Sequence, residues 1–369
     1  MTSSRFVVAV AALLAGCQSN SGPVRLGLAI GLKEAGTIPM KLAAELAVKE
    51  INAQGGVKGR PLELLERDDR SSEDSAQAVA FDLYRSDALA VIGGAYSSAT
   101  LAAAPIYNGG REPMVQLSPS ASSPLLTTAG PYTFRLCPSD LGYGAALAQA
   151  ARDRGFRRAA VLYVNDEYGR GVRRTFTEEF TRGGGQVVEL APFLSSAPDV
   201  QAYLDRIAYR KQAQVIILAA NQDEGLPALR QILAAKLGLP VMAGDGMVGA
   251  ERTNPALMEG VLVSSAYLVG DASARNQSFV ATYRKTYPDA GPPDQGAAAT
   301  YDAVYLLARV IAEGGASRAK VRDALARVGL TDPAFDGVVG RIAFDSAGDV
   351  PKLAVQIGVA RAGILVPAR

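Results

Sequence analysis

The sequence predicts an α/β protein made of two doubly wound parallel-sheet lobes, and three observations point there. The chain has 369 residues, more than one hydrophobic core usually organises. Its strand-like segments are short unbroken apolar runs, such as Leu89-Ala-Val-Ile92 and Val215-Ile-Ile-Leu218, the pattern of strands covered on both faces. The same order of strand and helix patterns also occurs twice, at helix lengths that imply parallel crossovers.

The first copy opens with the strand Arg25 to Ile30. A helical pattern from Pro39 to Asn52 follows and stops at Gly55-Gly56; Pro61 to Glu66 then reads as a strand. Ser71-Ser-Glu-Asp74 starts another helix, and Leu89 to Ile92 is a buried strand that runs through Gly93-Gly94 into an alanine-rich helical segment. A further buried strand spans Met114 to Leu117, and Arg135 to Leu141 is a candidate crossing between the copies. The second copy repeats this order with the strand Ala159 to Val164, a helix from Arg170 to Thr181 ending at Gly183-Gly184-Gly185, and the strand Gln186 to Leu190. Ser195 to Asp199 opens its second helix, and the strands Val215 to Leu218 and Pro240 to Ala243 follow.

Beyond Asp245 come the strand Val261 to Ser265 and helices near Ala274 to Tyr287, Gly296 to Glu313 and Ser317 to Val328. A strand pair near Val338 to Phe344 and an alternating segment from Leu353 to Val359 complete the pattern. These helices need a sheet to cover. They are expected to return to the first lobe, with the last strand rejoining the second.

Residues 1–16 combine Arg5, no acid and an apolar run from Phe6 to Leu14, then Leu14-Ala15-Gly16-Cys17. That is the pattern of a bacterial lipoprotein signal peptide, with Cys17 as the lipidated residue and 17–23 as a tether to a membrane face. A plain secretory signal or a short anchor helix is the alternative. No later segment offers the roughly 18 unbroken apolar residues of a membrane span. Loss of Arg5 lowers the formal charge from +2 to +1, and no long basic run follows, so nucleic acid is not an expected partner. Histidine is absent, which removes the commonest general base, the usual zinc ligand and every Ser-His or Cys-His arrangement. Cys137 is left without a partner cysteine and is expected to be a small buried hydrophobe.

Two duplicated lobes create a cleft between the carboxyl ends of their strands, where open α/β sheets bind ligands. At one such end Gly93-Gly94 is followed by Ser97 and Ser98 in the first turn of a helix, which offers free N–H groups and a positive helix end to a carboxylate. The alternative reading of these serines is helix N-capping. Leu117-Ser-Pro-Ser-Ala-Ser-Ser-Pro124 returns hydroxyls to the same edge, and Asn165-Asp-Glu-Tyr-Gly169 puts Tyr168 at a helix start on the opposite lobe, where Gly169 is expected to allow a tight turn. Asp245, between Gly244 and Gly246, follows a strand of that second lobe.

Taken in order and spacing, Val91-Ile-Gly-Gly, Tyr96-Ser-Ser-Ala-Thr100, Leu117 to Pro124, Asn165 to Gly169, Leu229-Arg-Gln231 and Gly244-Asp-Gly246 resemble the type I periplasmic binding proteins of the leucine/isoleucine/valine-binding group. The resemblance covers essentially all of Val24 to Val359. It implies a periplasmic binding protein-like type I fold whose lobes are joined by three hinge crossings and close on a small ligand. The lobes would be 24–140 plus 268–348 and 141–267 plus 349–369. By family position Ser97, the Ser120 backbone and the Ser122 hydroxyl would hold a ligand's carboxylate and amine; Tyr168 would close over it and Asp245 would meet its ammonium. Asn221 stands where the best-known members carry a pocket tyrosine, and Tyr96 where some carry a disulfide cysteine, which puts a branched aliphatic ligand in question.

The expectation is a monomeric, non-catalytic, lipid-anchored protein of the cell envelope that needs no cofactor or metal. It would take an amino acid or related small carboxylate or amide and pass it to an ABC permease. A ligand-sensing or envelope-regulating lipoprotein without a permease is the alternative, to which Gln18 after Cys17 lends weight. A nucleotide-using enzyme would need a glycine fingerprint that Gly27 to Gly36 lacks, and no phosphate-loop motif occurs.

Overall fold

The computed structural model describes residues 22–368. The signal segment, Cys17 and most of the tether lie outside the described residues. The first sheet is five-stranded and parallel, in the order β2-β1-β3-β4-β5. Its strands are β1 (Val24–Ile30), β2 (Leu62–Asp68), β3 (Ala90–Gly93), β4 (Val115–Ser118) and β5 (Thr133–Arg135). The helices α1 (Ile38–Ala53), α2 (Glu73–Arg85) and α3 (Ser97–Asn108) connect them.

The chain then enters α4 (Asp140–Asp153) and a second sheet. There β6 (Arg158–Val164), α5 (Glu167–Arg182), β7 (Gln186–Phe193), α6 (Gln201–Arg210), β8 (Val215–Ala219), α7 (Gln222–Ala234) and β9 (Val241–Ala243) follow. Two short helices, α8 (Ala250–Thr253) and α9 (Pro255–Met258), lead to β10 (Leu262–Ser265). Next come α10 (Ala274–Thr286), α11 (Gln295–Gly314), α12 (Arg318–Arg327) and the small antiparallel pair β11 (Phe335–Asp336) with β12 (Arg341–Ile342). The chain closes with β13 (Gln356–Arg361) and β14 (Ile364–Pro367), giving the second sheet the order β14-β13-β10-β9-β8-β6-β7.

The parallel part of that sheet, β7-β6-β8-β9-β10, repeats the order of the first, so the sequence duplication is a duplication of topology. Only the β10–β13 and β13–β14 pairings are antiparallel there. The strands are buried on both faces because helices cover them: all of β3 and β8 is inaccessible to solvent, which explains their unbroken apolar runs. Helix α11 packs along α1 on one face of the first sheet, while α2 and α3 cover the other. The hydrophobic cores divide accordingly. One joins residues from Val24 to Tyr143 with Ala266, Tyr267 and residues from Phe279 to Leu353, and another joins Leu147 to Val263 with Leu268, Ala360 and Leu365. The chain thus passes three times between the two sheets, after β5, after β10 and after β12.

Several boundaries differ from the sequence reading for local reasons. The helix expected from Ser195 begins at Gln201, because Leu194 and Ala197 pair as a bridge and the Asp199 carboxylate accepts from Gln201 N at 3.0 Å. Helix α5 starts earlier than Arg170 because Asp166 caps it, accepting from Gly169 N at 2.8 Å. Gly169 makes no turn: it lies inside α5, where a Cβ would strike the Val164 carbonyl. Cys137 is buried and free, as expected.

Helices α4 and α5 approach closely where α4 has a glycine. A Cβ on Gly144 would stand 2.7 Å from Thr175 Cβ and 2.9 Å from Phe176 N. Alanine raises helix propensity by about 1 kcal/mol, whereas overpacking costs about 1–3 kcal/mol, so packing wins. Gly144→Ala is expected to lower the denaturation midpoint, a loss of about 1–2 kcal/mol, while Gly270→Ala, facing open space, changes stability by less than about 0.5 kcal/mol.

Candidate functional site

In a doubly wound sheet the helices leave on opposite faces at one point, and the strand ends there bracket a crevice. In the first sheet that point lies between β1 and β3, and in the second between β6 and β8. The segments that follow these strands are Gly31 to Thr37, Gly94 to Ser97, Asn165 to Glu167 and Ala220 to Gln222. Both crevices face the same space, because α3 and α5 touch across it. Tyr96 Oη donates to Asp223 Oδ2 at 3.2 Å, and Arg252 pairs with Asp294 at 3.4 Å, so polar contacts also link the lobes. The cleft is closed and leaves about 40 Å³ open to the centres of water-sized groups. By the usual allowance of about 10–15 Å³ per water, that space holds only a few small groups.

The first-lobe wall is built from two laced turns. Gly93 has φ +147°, a conformation open to glycine, and its chain neighbour Gly94 gives its carbonyl to Ser118 Oγ at 2.8 Å and Thr100 Oγ1 at 3.1 Å. Thr100 N makes the first turn's hydrogen bond, to Tyr96 O at 2.9 Å, which leaves the N–H groups of Ser97, Ser98 and Ala99 without an intrahelical acceptor. The N-cap position belongs to Tyr96, and no side chain caps the helix, so neither serine is an N-cap. Ser97 is buried and its hydroxyl accepts from Ser123 N at 3.1 Å, which pins the turn after β4. Ser120 lines the cavity. Ser122 is buried behind it, its carbonyl held by Arg135 at 3.0 Å and its Oγ without a partner among the described residues. Ser98 is half-buried and does not line the cavity.

The second-lobe wall centres on Asp245, which opens a single 3-10 turn after β9 and lines the cavity. Tyr168 Oη donates to its Oδ1 at 3.0 Å and accepts from Gly246 N at 2.7 Å. Asp245 is 7% exposed and belongs to no ion pair among the described residues. Burial therefore pushes its pKa from the ordinary 3.8 up to about 7, and the Tyr168 hydroxyl is the strongest effect opposing it. Asn221 lines the same cavity from the start of α7.

Three of the sequence-designated residues, Ser120, Asn221 and Asp245, thus line one cavity from its two sides, Tyr168 reaches it through Asp245, and Ser97 and Ser122 back the Ser120 side. Sequence reasoning did not select Gln222, Asp294, Gln295 or Asp140. Gln295 lines the cavity from the start of α11, and its Nε2 donates to Tyr143 Oη at 3.0 Å. The signal for it was the cap Asp294 behind Pro292-Pro293, a helix start aimed at the cleft; Asp294 accepts from Ala297 N at 2.9 Å. Asp140, inside the segment read as a crossing, is fully buried with both carboxylate oxygens unpartnered among the described residues, and burial raises its pKa far above the usual range. Gly171 leaves room for it, since a Cβ there would meet the Asp140 carboxylate. Among the described residues no cluster of ligating side chains could hold a metal ion. No described helix is long and apolar enough to cross a membrane.

A family model described as periplasmic binding protein matches residues 29–361. The leucine-specific-binding protein of Salmonella typhimurium is 28% identical over 314 residues, 83% of this chain and 82% of its own length. An ABC transporter substrate-binding protein from Desulfitobacterium hafniense, solved in complex with Leu, superposes with a TM-score of 0.78 at 28% identity and covers 94% of this chain and 100% of its own. The branched-chain amino acid transporter substrate binding protein of Streptococcus pneumoniae, in complex with isoleucine, shares the fold with a TM-score of 0.82 at 24% identity, over 94% of this chain and 100% of that one.

A carboxyl with a folded pKa of about 7 and an unfolded value of 3.8 binds an extra proton when folded between those values. Stability is therefore lost as pH rises through that window, and the penalty is complete above about pH 7. Asp302 and Glu251 also sit at about 7 and act in the same sense. The ligand-free melting temperature is expected to be higher at pH 5.5 than at pH 8, with a smaller difference in Asp245→Asn. In Tyr168→Phe the Asp245 carboxyl, followed by carbon-13 NMR, is expected to titrate above its wild-type midpoint, because its anion loses a donor.

Proposed function

The chain belongs to the periplasmic binding protein family and has its type I fold, and from that premise we propose that it captures an α-amino acid, or a related small carboxylate or amide, by closing its lobes. The moving bodies in this reading are 24–140 with 268–348 and 141–267 with 349–369. The observation that carries it is Asp245, a buried carboxylate without a cation, facing a wall of free N–H groups and hydroxyls. A zwitterion matches both walls. Its carboxylate meets the first turn of α3 and the Ser120 to Ser122 turn, and its ammonium meets Asp245 under the Tyr168 ring. The names of the relatives, leucine-specific-binding and Leu/Ile/Val-binding proteins, support the amino-acid class.

The sequence motif at Cys17 supports a lipid anchor at a membrane face of the cell envelope, with the ligand handed to an ABC permease. Binding needs no catalytic group and no cofactor.

Calorimetric or thermal-shift titration of the purified chain with amino acids, simple carboxylates and amides tests the reading. A true ligand at about 100-fold excess over Kd adds about 2.7 kcal/mol of stability, and small-angle scattering should report compaction of any open population. Asp245→Asn is expected to weaken an amino acid by about 2–5 kcal/mol. The sign of the pH effect separates ligand classes. An ammonium prefers the ionised Asp245, so below about pH 7 its binding must expel a proton, and affinity falls by up to about tenfold per unit. A carboxylate without an ammonium shows the reverse trend. Cys17→Ser is expected to move the expressed protein from the detergent phase to the aqueous phase.

A further inference from the structure

Two polar atoms on the second-lobe wall stay unmatched when the internal hydrogen bonds are assigned. Asn221 and Gln222, at the start of α7, are 5% and 3% exposed, and both line the cavity. Gln222 donates its Nε2–H to Val248 O at 2.7 Å, yet its Oε1 accepts nothing among the described residues. Asn221 Nδ2 likewise has no acceptor. An asparagine at an N-cap ordinarily turns its side chain back onto the helix's own N–H groups. Asn221 occupies that position but makes no cap bond, and its Oδ1 lies against Gly246 beside Asp245. One free donor and one free acceptor thus line the same cavity, where burial without a partner is costly.

The rest of that end is sparingly apolar, with Met40, Ala95 and Val248 as its aliphatic lining. Gly36, Thr37, Tyr96, Gln295 and the acid Asp294 also line it, and none supplies a positive charge. The neighbouring cation, Arg252, is taken up by Asp294 and the Ala290 carbonyl. An anionic tail is therefore not matched, and a purely aliphatic one would leave both amide atoms unpaired.

We propose that the tail end of this cleft selects a neutral carboxamide- or hydroxyl-bearing amino acid over a branched aliphatic one, with Asn221 Nδ2 donating to the tail's oxygen and Gln222 Oε1 accepting its N–H or O–H. This rests on the amino-acid reading of the same site. A site that hydrogen-bonds a substrate's polar group discriminates strongly against the analogue lacking it, because its own buried groups are then stranded.

Isothermal titration of the purified chain with asparagine, glutamine, serine, threonine, leucine, isoleucine and valine decides the matter. At least one of the four polar amino acids is expected to bind ten or more times as tightly as every branched one, on the order set by pairing a stranded polar group. A branched amino acid binding equally well or better overturns this inference and leaves the amino-acid reading standing. Binding of none of the seven withdraws that reading, and the inference with it. Asn221→Leu should lower polar-ligand affinity and narrow the gap to leucine, and an unchanged preference overturns the proposal. Asn221→Asp keeps the shape and replaces the donor by an acceptor, so it should also weaken the polar ligand; wild-type affinity there counts against the assigned role.

Discussion

The closed molecule depends on how one anion, Asp245, is held away from water. A carboxylate at that depth is tolerated only where dipoles or cations replace its hydration. Here the replacement is partial. One phenolic hydroxyl donates to it, and that hydroxyl is itself polarised by the Gly246 N–H. The starts of α1, α3, α7 and α11 all open toward the same space, each adding a positive helix end. These dipoles moderate the cost without neutralising the charge, and the carboxyl accordingly binds protons far above its usual range.

Why those helix starts converge follows from the topology. The order 2-1-3-4-5 occurs in both sheets, so each has its switch point between its first and third strands. Three passes of the chain between the sheets turn the two switch points toward each other. Symmetry of topology then carries asymmetry of chemistry: hydroxyls and N–H groups from Gly94 to Ser122 line one side, and an acid, a phenol and two amides line the other. A duplicated fold with identical walls would repel or ignore a zwitterion, whereas these complementary walls suit one.

Most of the fold was legible because buried parallel strands read as continuous apolar runs and their helices stop at glycines. Val91-Ile-Gly-Gly and Val215 to Leu218 needed no tertiary information. The short edge strands β5 and β14 were not read from the sequence, since their pairing is set by the crossing and by the sheet edge. At the site, residues that directly follow a strand in the duplicated pattern, Ser120, Asn221 and Asp245, could be found by counting from strand ends. Gln295 and Asp140 could not. Asp140 begins α4 straight after the first crossing and Gln295 begins α11 behind its cap Asp294, and only the folded path of the chain brings these helix starts near Asp245. The capping readings of Ser97 and Ser98 failed for a related reason: the turn after β4 takes the Ser97 hydroxyl, an interaction with no trace in local sequence.

The balance of forces across the cleft explains why a solute should govern closure. Away from the crossings, the links across the cleft mouth are modest: Tyr96 to Asp223 is partly in water, and the Arg252 to Asp294 pair spans 3.4 Å. Exposed polar links of this kind are worth about 1 kcal/mol or less, and a partly buried ion pair recovers little after desolvation. Against them stand Asn221 Nδ2 and Gln222 Oε1, enclosed and without partners among the described residues, and the Asp245 carboxylate, which burial holds well above its ordinary pKa. Each unmatched buried group costs about 1–3 kcal/mol. In the proposed reading these groups favour an open form, in which water reaches them, over the closed one. A ligand that supplies the missing partners reverses the sign without adding any new contact between the lobes. In the proposed reading, the unsatisfied atoms are the means by which binding and closure become one event.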